Sequence, residues 1–151
     1  MKKILIFLAF LAVLNAEQIE INVNSFEADE NALTGDLDGN VVIKNGAYDS
    51  LWANHAKVFF DKQKKPLKYI ATGNTRFKVL LKDKKYDGSG AELTYEPGGE
   101  IYTLSGSAFL HEEETDKKLY GSKIVVNRKN GTYSVYSDKD KPVKFTFETG
   151  K

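Results

Sequence analysis

A two-part repeat constrains this chain more than any single residue does. One unit reads apolar-x-Gly-[Asn/Ser]-x-x-apolar. It occurs as Leu37-Asp38-Gly39-Asn40-Val41-Val42-Ile43, as Ala71-Thr72-Gly73-Asn74-Thr75-Arg76-Phe77 and as Leu104-Ser105-Gly106-Ser107-Ala108-Phe109-Leu110, with glycines 34 and then 33 residues apart. Between the copies lies a second unit of apolar and small residues: Leu51, Ala53, Ala56 and Val58; Tyr86, Gly88, Ala91 and Leu93; Leu119, Gly121, Ile124 and Val126. A fixed period in this range marks a stack of units, each of which buries its apolar face only against its neighbours. The first unit keeps period 2 throughout, which predicts a straight strand with Gly at a close approach or a bend. The second inserts one extra position, as a β-bulge does, and so turns the strand. Alternating straight and bulged strands predict an all-β chain folded as an open, twisted β-jellyroll or open-sided solenoid.

The ends are read separately. Lys2 and Lys3 precede an apolar run from Ile4 to Leu14 and then Asn15-Ala16, the pattern of a secretory leader over 1–16. The run is too short for a spanning helix, which needs about 20 apolar residues. A retained membrane anchor is therefore the weaker reading. Residues 17–151 then form a single domain. The whole chain carries 22 basic and 21 acidic residues; without Lys2 and Lys3 the formal charge is −1. That balance lacks the concentrated basic excess of a nucleic-acid binder. There is no cysteine, so an exported domain of this kind depends on sheet pairing and an apolar interior rather than on disulfides.

Parity along the strands separates an inward set with almost no charge. The first strand contributes Ile19, Ile21 and Val23, and the next Leu37, Val41 and Ile43. Val58 and Phe60, Phe77 and Val79, Leu93 and Tyr95, Leu104 and Leu110, and Ile124 and Val126 continue it. Tyr133 and Val135 predict a short strand, Val143, Phe145 and Phe147 the last one, and residues 25–32 have room for one helical turn. Such a face either packs as a closed core or lines a trough that accepts long hydrocarbon chains. Periodicity alone leaves both open.

Candidates for chemistry are few. Nucleophilic catalysis needs a base held against Ser, Thr or Cys, and metal sites need clustered ligands. The only histidines, His55 and His111, have no partner motif. His55 near Asp49 and Ser50 reads as a surface residue, and His111 with Glu112, Glu113, Glu114 and Asp116 reads as a solvated hairpin turn. The remaining acids look scattered on outward positions. No catalytic residue, metal site or cofactor is expected. Two basic turns, Lys62, Lys64, Lys65 and Lys68 in one and Lys82, Lys84 and Lys85 in the other, either gather at one rim to meet lipid phosphates or serve solubility at sheet edges. Trp52 falls on the outward parity.

The strand Ile19-Glu20-Ile21, the Leu37 to Ile43 motif, the stretch from Tyr95 to Leu110 and Leu119-Tyr120-Gly121-Ser122-Lys123-Ile124, behind a leader, resemble the LptA/OstA family of periplasmic lipopolysaccharide-transport proteins. The resemblance covers 17–148. It implies a V-shaped β-jellyroll in the Gram-negative periplasm whose interior carries lipopolysaccharide acyl chains, with Ile19, Ile21, Phe77 and Tyr95 facing the lipid. It also implies copies joined end to end, an LptC-like inner-membrane partner and an LptD-like outer-membrane translocon. The edge strands Ile19 to Val23 and Val143 to Phe147 are the expected joints. The competing readings are a non-catalytic adaptor of the envelope with a closed core, and the membrane-anchored LptC-like partner itself.

Overall fold

The alternating segments form ten strands and, among the described residues, no helix. The computed structural model describes residues 18–138 and 140–149; the leader expected at 1–16 lies outside them. The strands are β1 (Ile19–Asn22), β2 (Ser25–Asp29), β3 (Thr34–Asn45), β4 (Asp49–Phe60), β5 (Pro66–Leu81), β6 (Lys84–Glu96), β7 (Ile101–Glu112), β8 (Lys117–Asn127), β9 (Thr132–Tyr136) and β10 (Lys144–Thr146). They build one antiparallel sheet in the order β1-β3-β4-β5-β6-β7-β8-β10, with β2 also paired to β3 and β9 to β8. The segment 25–32 is not a helical turn. Phe26 and Ala28 stand opposite Leu37 and Gly35, so β2 continues the alternation of its neighbour.

Every long strand is bent in its middle, and the bends divide the sheet into two arms. Register shifts fall at Asp38/Val41, Trp52/His55, Thr72/Thr75, Ser89/Glu92 and Ser105/Ala108. The even strands β4 and β6 switch inward parity at the bend, from Leu51 and Ala53 to Ala56 and Val58 and from Tyr86 and Gly88 to Leu93 and Tyr95. The expectation that the odd strands run straight is corrected here. In each of them two successive residues take left-handed conformations: Gly39 and Asn40 (φ 91° and 51°), Gly73 and Asn74 (80° and 51°), and Gly106 and Ser107 (78° and 49°). Glycine enters this region without a steric penalty, and Asn is the next most tolerant. Two extra residues turn the chain yet restore the alternation, which is why period 2 survives and hides the corner. At one corner the Thr75 hydroxyl donates to the Gly90 carbonyl.

The two arms face each other. Arm A holds β1, the second halves of β3, β5 and β7, the first halves of β4, β6 and β8, and β10. Arm B holds β2, β9 and the complementary halves. Phe77 of arm A meets Tyr102 of arm B at 5.0 Å between ring centroids, and Tyr86 meets Tyr133 at 5.9 Å. Burying a large apolar side chain contributes roughly 1.5–3 kcal/mol, and Phe77, Leu37, Leu93, Leu104, Leu110 and Ile124 are all fully buried between the arms. The sheet does not close: β1 and β2 at one end and β9 and β10 at the other are paired on one side only.

Candidate functional site

The inward set occupies one continuous face, but its surroundings change along the stack. Leu37, Val41, Ile43, Val58, Phe77, Val79, Leu93, Tyr95, Leu104, Leu110, Ile124 and Val126 are buried against one another, and Val23 and Phe60 are partly covered. A cavity of about 20 Å³ lies among them, lined by Ile43, Asn45, Asp49, Leu51, Tyr69, Tyr95 and Tyr102 together with Ser50. At the ends the same face is uncovered. Ile21 stands opposite Ile43 yet is 40% exposed, Ile19 is 39% exposed and Phe26 56%. At the other end Phe145, opposite Leu119, is 55% exposed and stacks on Phe147 at 5.9 Å. The apolar interior therefore has two mouths.

The mouth at β2 holds a pocket of about 130 Å³ that brings Phe60 and Lys64 together with Phe26, Ala28 and Leu33. Asp29, Glu30 and Thr34 complete its lining, and Lys64, paired with Glu30 at 3.2 Å, stands at its rim. Sequence reasoning had not placed Phe26 in the inward set. Its opposition to Leu37 shows that it belongs there.

The free lips of the arms are joined by a polar seam. Asp49, 2% exposed, accepts a hydrogen bond from the Leu80 amide at 3.1 Å and one from the Tyr102 hydroxyl at 3.4 Å, and Arg128 Nε lies 2.8 Å from it. Arg128 also donates to Glu100 at 2.9 Å. Asn45 donates to the Tyr95 hydroxyl at 3.3 Å from the opposite arm. Beyond this cluster Glu112, also buried, lies 3.6 Å from Lys84 and 3.4 Å from Lys117. Burial pushes the Tyr102 hydroxyl well above the ordinary phenol range, with Tyr95 and Asp49 adding to it, and pushes Tyr69 and Tyr86 up to about 12. These phenols stay neutral, with Tyr102 bonded to Asp49 and Tyr86 to Glu112.

The seam corrects two expectations. The acids are not all outward: Asp49 shares the inward parity of Leu51 and Ala53, and Glu112 that of Ala108 and Leu110. That parity is the sequence signal for their inward position. The basic turns do not share one rim either. Lys62, Lys64 and Lys65 close β4 onto β5 on the lip of arm B, whereas Lys82, Lys84 and Lys85 surround the β5 to β6 turn on the lip of arm A. Lys85 lies over the Tyr48 ring at 5.5 Å. Because β5 is bent, its two ends lie on opposite lips of one opening.

Neither histidine assembles a reacting constellation. His55 lies outside, 3.6 Å from Asp38 and 3.9 Å from Asp36. His111 is held on the outer face of arm A between Asp87 at 3.0 Å and Asp116 at 2.7 Å, and the bond to Asp87 is the first cause of its raised pKa.

Fold and site together define a class: a two-armed antiparallel β-jellyroll with a packed apolar interior that is open at both ends and bridged along its lips by the polar seam. The family model of LptA and LptD N-terminal-domain LPS transport proteins matches residues 20–132. The chain belongs to that family. Among solved structures it is similar to LptH of Pseudomonas aeruginosa, described as the LptA-homologous periplasmic component of the lipopolysaccharide transport device, with a TM-score of 0.77 at 15% identity over 88% of this chain and 96% of that one. No curated protein matches the sequence significantly.

Proposed function

We propose that this chain is a periplasmic component of lipopolysaccharide transport that binds acyl chains between its arms, bridges the envelope by end-to-end contacts and performs no catalysis. Family membership supplies the transport role. The observation that carries the acyl-chain reading is the inward apolar face that continues uncovered past both mouths, at Ile19, Ile21 and Phe26 and at Phe145 and Phe147. An isolated soluble domain gains nothing from leaving such residues in water; a relay does, because the next trough covers them. Each mouth also ends in short edge strands whose free backbone groups can pair with another strand by β-augmentation. A second copy, an LptC-like partner and an LptD-like partner are the joints that this reading supplies. Export would follow from a leader at 1–16, leaving one domain over 17–151.

Energetics sets how cargo moves. Each buried methylene is worth roughly 0.8 kcal/mol, so fully enclosed acyl chains would be held almost irreversibly by a single trough. Troughs in series avoid this trap, since transfer between like interiors is nearly isoenergetic. In this reading Lys64, at the rim of the β2 pocket and paired with Glu30, exchanges that partner for a head-group phosphate while apolar chain enters beside Phe60 and Phe26.

The packed middle favours a second reading, an adaptor with a permanently closed core. Photo-crosslinking residues at Ile21 and Phe77 separate the two. Adducts with lipopolysaccharide at both positions are expected, and none from any inward position would sink the carrier reading. Ile21→Asp should abolish lipid capture in a chain that still folds, because Ile21 sits at an open mouth. Global unfolding of that variant would favour the adaptor.

A further inference from the structure

The outward surfaces of the two arms differ in charge. In the two cross-strand rows beside the bends, arm A presents Lys44, Arg76, Lys78, Lys118 and Lys144 against Glu20 and Asp87. The equivalent rows of arm B present Glu27, Asp36, Asp38 and Glu92 against Lys57 and Lys123. The basic face is also the aromatic one. Trp52, Arg76, Ser89, Phe109, Tyr120 and Lys144 stand opposite one another in unbroken register across the sheet.

That row has one gap. The Arg76 guanidinium lies over the Trp52 ring at 4.3 Å, and Phe109 leans on Tyr120 at 5.1 Å. Between the two groups only the small side chain of Ser89 points outward, leaving a recess of about 230 Å³ walled by Arg76, Lys78, Asp87 and Phe109. The strands bearing Arg76 and Phe109 are two spacings apart, about 9.6 Å. This is below the roughly 300–1,000 Å³ of sites for drug-sized ligands and suits a single ring. Asp87 is held by the His111 ring at 3.0 Å, and the two cations Arg76 and Lys78 outnumber it in the walls of the recess. An aromatic ring beside a hydroxyl fits the C–H face and hydroxyls of a sugar, and a guanidinium beside an ammonium fits an anion on that sugar.

We propose that this recess on the outer face of arm A binds an acidic sugar unit, its ring lying against Phe109 and its carboxylate or phosphate paired to Arg76 and Lys78. The site is separate from the interior and does not depend on the acyl-chain reading. The same chemistry occurs in a free acidic glycan and in the saccharide of a glycolipid.

The test is a ¹H–¹⁵N titration with glucuronate and glucose 6-phosphate, followed also by fluorescence of Trp52, the only tryptophan in the chain. Both acidic sugars should shift the amides of Ser89 and Phe109. Glucose and inorganic phosphate, each satisfying half of the site, should bind at least about tenfold more weakly. Arg76→Gln and Phe109→Ala should each weaken the acidic sugars severalfold, and Tyr136→Ala on arm B should not. Absence of shifts at these amides, or inorganic phosphate binding as well as glucose 6-phosphate, would overturn the proposal. The same two variants distinguish the source. If they also lose retention of core-bearing lipopolysaccharide but not of lipid A, the sugar belongs to the cargo; if neither is affected, it is a free glycan.

Discussion

Asp49 is the residue on which the most structure converges. One carboxyl joins the Leu80 amide, the Tyr102 hydroxyl and Arg128, and so ties both arms together at the seam. Removing one partner of a buried ion pair costs about 3–5 kcal/mol, and the partial exposure of Arg128 puts this case at the lower end. Asp49→Ala should therefore lower the chemical-denaturation midpoint sharply, whereas Asp38→Ala, on the surface, should not; equal midpoints would remove Asp49 from the seam. His111 makes a pH-dependent contribution of known sign. Its pKa is raised in the folded chain, so the stabilisation is fully present below the unfolded value of 6.5 and is lost as pH rises through the higher folded value. The partners are partly solvated, which limits the effect to under about 1 kcal/mol. The stability gap between the wild type and His111→Gln should be widest below pH 6.5 and close above the folded pKa. A gap independent of pH would mean that packing on Phe109 is all that His111 provides.

Among the elements, the bends matter most. A Cβ on Gly73 would stand 2.9 Å from Asn54 and would have to be carried at φ 80°. Backbone strain of this kind costs of order 1–3 kcal/mol. Gly73→Ala should lose about that much in thermal or denaturant unfolding, while Gly98→Ala, whose Cβ would meet nothing, should be silent. The strands themselves were legible because one face of each is buried and period 2 records it. The corners in β3, β5 and β7 were not, because a two-residue insertion leaves parity unchanged and a left-handed Asn or Ser has no periodicity of its own. Asp49 and Glu112 were legible in parity and illegible in chemistry. Phe26 and the opposing lips of the lysine turns depend on which half of a bent strand belongs to which arm, a tertiary fact that no local window contains.

At the scale of the whole molecule, the acyl-chain role proposed above requires the arms to part when cargo enters, because the interior between them is packed. The cavity of about 20 Å³ on the inner face is too small for an acyl chain. Lys82 and Gly131 touch across the seam, the Lys82 Cγ lying 2.5 Å from the position of a Cβ on Gly131. With no native cysteine to interfere, Lys82→Cys with Gly131→Cys makes a removable lock; residue 131 sits at φ 74°, so the pair should cost of order 1–3 kcal/mol, and denaturation of the reduced variant checks that it still folds. Oxidation should block lipid capture and reduction should restore it; capture unaffected by a formed disulfide would show that chains pass without the arms separating. The paired bends have a further consequence. One odd strand and one even strand together, 33 to 35 residues, bring the chain back to the same lip with the same face inward. Length is therefore a countable quantity in this architecture. Duplicating such a unit would extend the conduit by about 9.6 Å, two strand spacings, without repatterning any residue. For a continuous sheet, growth within one gene and docking of a second molecule become equivalent ways to span a fixed distance.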